Sequence, residues 1–318
     1  MSDMTGPPPP QDLSAFIGPL PASDPARMRR ARLHQGWWRA CVLNLPPGAH
    51  PKRPGDTLCS TLPDSAGAQG RNFLGPAAAE LVERTLADRQ AQTAGGLVDE
   101  HRLRTNLLSS QPLCFNFFSL LVDPVLGLAV ARRLFADITG FHGLHFEYAP
   151  TPRGDFTDDN SAFDVAFEVS MGTRRGLIGV ECKYTEPFSP TEYSRPRYEA
   201  IYQRSGGFLA PYEELRSRRF NQLFRNQLLA ESMVLAGRHD FVKTALFCAD
   251  DDAETLATGA EFRQRIRGDF AVFTFLDYLA TLQKLDLAPE QRRDTMRLWA
   301  RYMAFELSDA AQTEARRR

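Results

Sequence analysis

Three residues carry the chemistry this sequence offers: Asp164, Glu181 and Lys183. Asp164 lies in Phe163-Asp-Val-Ala-Phe-Glu-Val-Ser170. There Phe163, Val165, Phe167 and Val169 alternate with Asp164, Ala166 and Glu168 at the period of a strand. Glu181 and Lys183 lie in Gly176-Leu-Ile-Gly-Val-Glu-Cys-Lys183. Its Ile178, Val180 and Cys182 form an apolar face and leave the two charges together on the other. The intervening Met171-Gly-Thr-Arg-Arg175 reads as a hairpin centred near Thr173–Arg174, which sets Asp164 opposite position 182 or 183. If the pleats match, all three polar side chains converge on one face, with Ala166 and Gly179 small enough to leave room beside them. Two carboxylates a strand apart, with a backbone carbonyl such as that of Cys182 between them, are hard oxygen donors suited to Mg²⁺. Such an ion polarises a phosphate and lowers the pKa of an attacking water. A neighbouring lysine steadies that water or the charge building at phosphorus.

The ordinary alternative is a Glu–Lys ion pair on a wet sheet face. Two features oppose it: the strand is apolar on both sides of Glu181, and an aligned Asp arrives from the preceding strand. An acid and a lysine inside an apolar strand are costly unless paired or liganded. Other chemistries find little support. The sequence has no GxGxxG, P-loop, HExxH or GxSxG pattern. His142 and His145 fall on opposite faces of their strand, and Cys182 is expected to face the core.

These residues need a sheet, and the chain supplies one in its second half. The period changes after Gly140, giving strands at 142–148, 163–170, 176–184, 243–249 and 270–275. Helices are expected at about 23–43, 76–93, 97–108, 113–139 (broken at Pro124), 191–205, 211–236 and 289–306, with 44–75 a loop. The first helix carries Arg27, Arg29, Arg30, Arg32 and Arg39 with Trp37 and Trp38. That set suits either nucleic-acid contact or a Trp face packed on the domain. Residues 1–22, rich in Pro and small polar residues, are expected to lack fixed structure. Residues 23–318 then form one α/β domain: a helical part (23–139), a catalytic core (140–250), and a closing strand and helices (251–318).

Composition sets the outer bounds. With 318 residues, 43% hydrophobic, 24% charged and a net charge of −1, the chain is globular rather than a basic coat for nucleic acid. It has neither a signal-peptide pattern nor an apolar run long enough to span a bilayer, so a soluble, cytoplasmic protein without membrane partners is expected. Five widely spaced cysteines argue against a disulfide framework or a zinc knuckle. Only Lys52, Lys183, Lys243 and Lys284 are lysine in an arginine-rich chain, which makes a lysine at 183 more informative.

The pattern Asp164 … Glu181-Cys182-Lys183 resembles the PD-(D/E)XK nuclease superfamily, with Phe163 where the motif's proline would stand. More narrowly, Leu107-Leu-Ser-Ser-Gln-Pro-Leu-Cys-Phe-Asn116, Phe146-Glu-Tyr148, Ser161-Ala-Phe-Asp164 and Glu181-Cys-Lys-Tyr-Thr-Glu186 resemble a bacterial subfamily of restriction-endonuclease-like proteins, over about residues 97–250. The resemblance implies a restriction-endonuclease-like fold: a mixed β-sheet in an α-β-β-β-α-β core, here with a helical N-terminal extension and C-terminal helices. It also implies Mg²⁺-dependent phosphodiester hydrolysis, with Mn²⁺ as a substitute, by an endo- or exonuclease serving restriction or defence. DNA is the expected partner, with RNA and a homodimer left open. A descendant that binds nucleic acid or protein on the same fold without cutting is the alternative. The resemblance places a further acid at the metal, with Glu147, Glu100 and Glu186 as candidates, and aims Gln227 of the helix after the motif at the site. Phosphate contacts are assigned to arginines flanking the site: Arg174 and Arg175 at the hairpin tip, and Arg216, Arg218, Arg219 and Arg225.

Overall fold

The computed structural model describes residues 17–92 and 98–317. The segment expected to lack structure, 1–22, lies outside the described residues as far as residue 16. Just beyond, Ile17 is buried against Cys59. Strands β1 (Gly48–Ala49) and β2 (Thr57–Leu58) make a small antiparallel ribbon inside the stretch expected as loop. Strands β3 (Gly140–Tyr148), β4 (Phe163–Met171), β5 (Arg174–Cys182), β6 (Phe241–Cys248) and β7 (Phe270–Thr274) form one sheet in that spatial order. The sheet is antiparallel from β3 to β5 and parallel from β5 to β7. This is the mixed α/β sheet, three strands then a helix and a parallel strand, that the resemblance implied.

Helices cover both sheet faces, as a sheet with buried parallel strands requires. On one side, Val165, Phe167, Val169, Ile178, Val180 and Cys182 pack with the Ser110–Phe118 helix, whose Phe117 and Phe118 rings lie 5.1 and 4.9 Å from that of Phe247. On the other, Ala166 and Leu177 meet Leu229, Ala230 and Met233 of the Asn221–Leu235 helix. The break expected at Pro124 within 113–139 is present and gives two helices, Ser110–Phe118 and Pro124–Leu134: Pro124 opens the second while the Asp123 carboxylate accepts from Val125 N–H at 2.9 Å. The first described helix, Ala26–Trp37, resolves its two readings toward packing: Trp38 is buried, Arg32 pairs with Asp24, and Arg27 pairs with Asp251 and Asp252. Arg301, fully buried in the Pro289–Tyr302 helix, donates to Asn72 O (2.6 Å), Asn72 Oδ1 (2.6 Å) and Gln35 Oε1 (3.2 Å), tying the C-terminal helices to the first helix. No single helix among the described residues is long and apolar enough to cross a membrane.

Two local expectations are corrected. The hairpin turns at Gly172–Thr173, one residue earlier than expected, because Gly172 adopts φ 60° at the first turn position. Asp164 therefore stands opposite Glu181, one step past the last paired residues Val165 and Val180. Phe163 also leaves the face of Val165 and packs with Ala166 instead. A Cβ at Gly179 would overlap its ring, so the small residue there makes room for Phe163 and not for the polar cluster.

Candidate active site

The register brings three acids to the same level on three adjacent strands. Phe146 pairs with Val165 and Tyr148 with Phe163, so Glu147 stands opposite Asp164, which stands opposite Glu181. Asp164 sits where β4 and β5 part, and its Oδ2 accepts the Cys182 N–H at 2.7 Å. The carbonyl of a strand residue projects to the same edge as its N–H, so Cys182 O also faces this opening. Glu147 is a non-glycine residue at φ 50° in β3, and its carboxylate accepts from Gln111 Nε2 at 3.1 Å. That backbone conformation costs on the order of 1–3 kcal/mol, and sites that carry such strain are often functional.

Glu181 and Lys183 are both buried, each 6% exposed. Lys183 Nζ lies 3.2 Å from Glu181 Oε1, donates to Gln222 Oε1 at 2.8 Å and stands 5.0 Å from the Phe188 ring centre. Gln222 in turn donates to Glu181 Oε1, and Asn226 Nδ2 donates to Glu181 Oε2 at 2.7 Å. Residues 222 and 226 are four apart on the Asn221–Leu235 helix and so share the face turned to the sheet. Each oxygen of the buried carboxylate is thus held, and the ammonium is fixed by two partners of its own.

Charge is crowded at this opening. The Asp164 carboxyl is held well above the usual carboxylate range, first by burial, then by the nearby charges of Glu181 and Glu147; the Cys182 N–H and Lys183 oppose that shift. A divalent cation relieves such crowding. The oxygens of Asp164, Glu181 and Cys182, with Glu147 nearby, are by their chemistry a donor set that suits a hard cation such as Mg²⁺. The thiols of Cys114 and Cys182 and an oxygen of Asp164 lie within 4.8 Å of one another on the core side. Burial pushes the Cys182 thiol up to about 12, which keeps it protonated and packed rather than nucleophilic.

A family model described as the PD-(D/E)XK nuclease superfamily matches residues 22–304 of this chain. The chain belongs to the PD-(D/E)XK nuclease superfamily. No curated protein and no solved structure matches it. The superfamily consists mostly of phosphodiester-hydrolysing nucleases, which generally act on nucleic acid with divalent metals.

Within the superfamily frame, the structure places the remaining sequence candidates as follows. Asp164, Glu181, Lys183 and Glu147 come together. Glu100 does not: it pairs with Arg104 at 2.9 Å on its own helix surface. Glu186 is taken up by Arg102 (2.6 Å) and the Ser110 N–H (2.8 Å), where its charge suits a helix N-terminus. Gln227 points elsewhere, donating to Glu231 Oε1 (2.9 Å) and accepting from Thr244 (2.7 Å) as a satisfied core glutamine. Gln222 and Asn226 take the place expected for it. The signal was present in Asn221-Gln-Leu-Phe-Arg-Asn-Gln227, where Gln222 and Asn226 lie one turn apart; the apolar stripe of Phe220 and Phe224 led to Gln227 instead.

The arginines expected to contact phosphate have other partners in the structure. Arg174 and Arg175 lie seven and six residues from Glu181 along β5, which at about 3.3 Å per residue is some 20 Å away. There Arg174 donates to Asp240 O at 2.8 Å and covers the Phe241 ring. Arg219 is paired with Glu261 (2.6 Å), Arg225 with Asp159 (3.0 Å), Arg216 with Glu213 (2.6 Å) and Arg218 with Glu192 (3.6 Å).

Proposed function

We propose that this chain is a Mg²⁺-dependent nuclease that hydrolyses phosphodiester bonds in DNA. One observation carries the reading: Glu181 and Lys183 are buried and individually braced by Gln222 and Asn226, at the level where Asp164 and Glu147 crowd a carboxylate opening. A surface ion pair needs no such bracing and is worth little.

The residues divide the work. Asp164, Glu181 and the Cys182 carbonyl would hold the metal, with Glu147 as the additional acid. When bound, the ion supplies Lewis-acid activation of the phosphate and a lowered pKa for the attacking water. Lys183 donates a hydrogen bond to the attacking water or to a phosphoryl oxygen, stabilising charge that grows in the transition state. Gln222 fixes the direction of that donor, and Asn226 keeps Glu181 from rotating away.

Incubation with linear, circular and single-stranded DNA and with RNA, in Mg²⁺ or EDTA, tests the reading. Cleavage in Mg²⁺, absent in EDTA and lost in Asp164→Ala and Glu181→Ala, is expected. Wild-type-level cutting by either folded variant refutes the assignment. A role in restriction or defence is compatible with this activity and would show as protection of cells against incoming DNA.

A further inference from the structure

A cleft of about 470 Å³ runs along β3, the edge strand of the sheet, and Glu147 is part of its wall. The Pro76–Gln92 helix closes one side with Leu81 and Arg84, and Arg238, after the Asn221–Leu235 helix, stands on the other. Tyr148 and His145 lie in the wall between, with ring centres 5.6 Å apart.

Two cations are available at this cleft. Several arginines of neighbouring elements are already paired: Arg102, Arg104, Arg216, Arg219, Arg225 and Arg265 each have a carboxylate within 4.0 Å. Arg84 and Arg238 are exposed, and among the described residues neither has a carboxylate at ion-pair distance. Arg238 is close enough to Tyr148 for its charge to act on the phenol. The cleft therefore offers apolar and aromatic wall beside two available cations, and it opens onto Glu147, which faces Asp164. Asp88, one turn from Arg84, is the other acid lining it; it repels phosphate and suits a base amino group.

We propose that this cleft holds an unpaired polynucleotide strand next to the scissile phosphate, with a base against Tyr148 and flanking phosphates on Arg84 and Arg238. The volume lies within the roughly 300–1,000 Å³ of small-ligand sites, room for a nucleotide or two of one strand. Bases inside a duplex are stacked and cannot reach such a wall without being extruded. The inference rests on the nuclease reading and narrows its substrate to single strands, frayed ends or flaps.

The test separates binding from cutting. Fluorescein-labelled oligothymidylate, oligouridylate and a blunt duplex of equal length are titrated with the full chain in EDTA, and binding is read by anisotropy. Unpaired strands should bind more tightly than the duplex. Preference for oligothymidylate assigns DNA and the reverse assigns RNA; either supports the cleft. Arg84→Gln combined with Arg238→Gln should reduce the salt slope by about 1.4, two single-strand phosphate contacts at about 0.7 each. Tyr148→Leu, which keeps an apolar side chain, should weaken binding roughly tenfold with the slope unchanged. An unchanged slope in the double variant, or duplex bound as tightly as single strand, overturns the cleft proposal. Failure of the nuclease reading shows separately, as no Mg²⁺-dependent cleavage by the wild type, and failure of its site as cleavage that survives in Asp164→Ala.

Discussion

Replacing Lys183 by Arg separates an ion-pair partner from a catalytic donor. In the wild type, two of the three ammonium hydrogens face Glu181 Oε1 (3.2 Å) and Gln222 Oε1 (2.8 Å), leaving one for the reacting oxygen. A guanidinium can satisfy the same two acceptors, so charge pairing survives and the fold remains. Its bulk, however, enters a pocket where the lysine is 6% exposed and lies 5.0 Å from the Phe188 ring centre. Overpacking of this kind costs about 1–3 kcal/mol, a few degrees of melting temperature in a chain of this size. Cleavage should fall much further. The remaining donors lie in the plane of the fork, and losing one transition-state donor costs roughly 10²–10³-fold, about 2.7–4 kcal/mol in the barrier. Single-turnover cleavage of a labelled oligonucleotide at saturating Mg²⁺, with melting curves alongside, measures both. A folded variant cutting within about threefold of wild type would show that Lys183 serves only Glu181, and the donor would have to be sought elsewhere.

Gln222→Leu removes an acceptor of Lys183 and of the Ser189 N–H together with a donor to Glu181. At about 1.5–3 kcal/mol for each charge-assisted bond, stability should drop by about 3 kcal/mol or more. Cleavage should fall about 10–100-fold in kcat with KM unchanged, because a misdirected ammonium affects the transition state alone; a change confined to KM would assign Gln222 to substrate binding. Asp164→Asn probes the crowded carboxylates. The raised pKa of Asp164 means the native state keeps a proton that the unfolded chain loses above about pH 4. In EDTA its contribution to stability therefore declines as pH rises from the unfolded value toward the folded one. Asn has no such proton to lose, so the wild type should lose melting temperature relative to the variant as pH rises above about 4, and Mg²⁺ should recover it in the wild type only. Parallel pH profiles in EDTA would contradict the crowding.

The strand elements of the candidate site were legible because period-two alternation fixes which residues of a strand share a face, and moving the turn centre by one residue shifts the partner across the hairpin by two, which keeps the faces matched. Asp164, Glu181 and Lys183 could therefore be placed together although the turn was set one residue late, and Glu147 followed from its strand. The helix contribution was harder to read. Buried stripes on a helix are broad, and both Asn-Gln pairs of residues 221–227 are largely buried, so only the packing angle against the sheet selects Gln222 and Asn226 over Gln227. Phe163 broke the alternation for a reason outside its own strand, the space above Gly179. Arginine partners were illegible because Glu261, Asp159 and Glu192 come from separate elements of the fold. Surface charge in a sequence does not say which cations are already spent.

The parallel join between β5 and β6 has a consequence for when the activity can arise. Lys183 N–H donates to Phe247 O, so the end of β5 that carries the acid and the lysine is clamped only once residues 241–248 have docked beside it. The amides that brace those side chains come from the helix spanning the same crossover. Such non-local pairings form late in folding. A chain still emerging from the ribosome, even with Asp164, Glu181 and Lys183 already outside, holds the motif without the geometry. For a nuclease of the kind proposed above, that order of assembly would postpone cutting until the fold is complete.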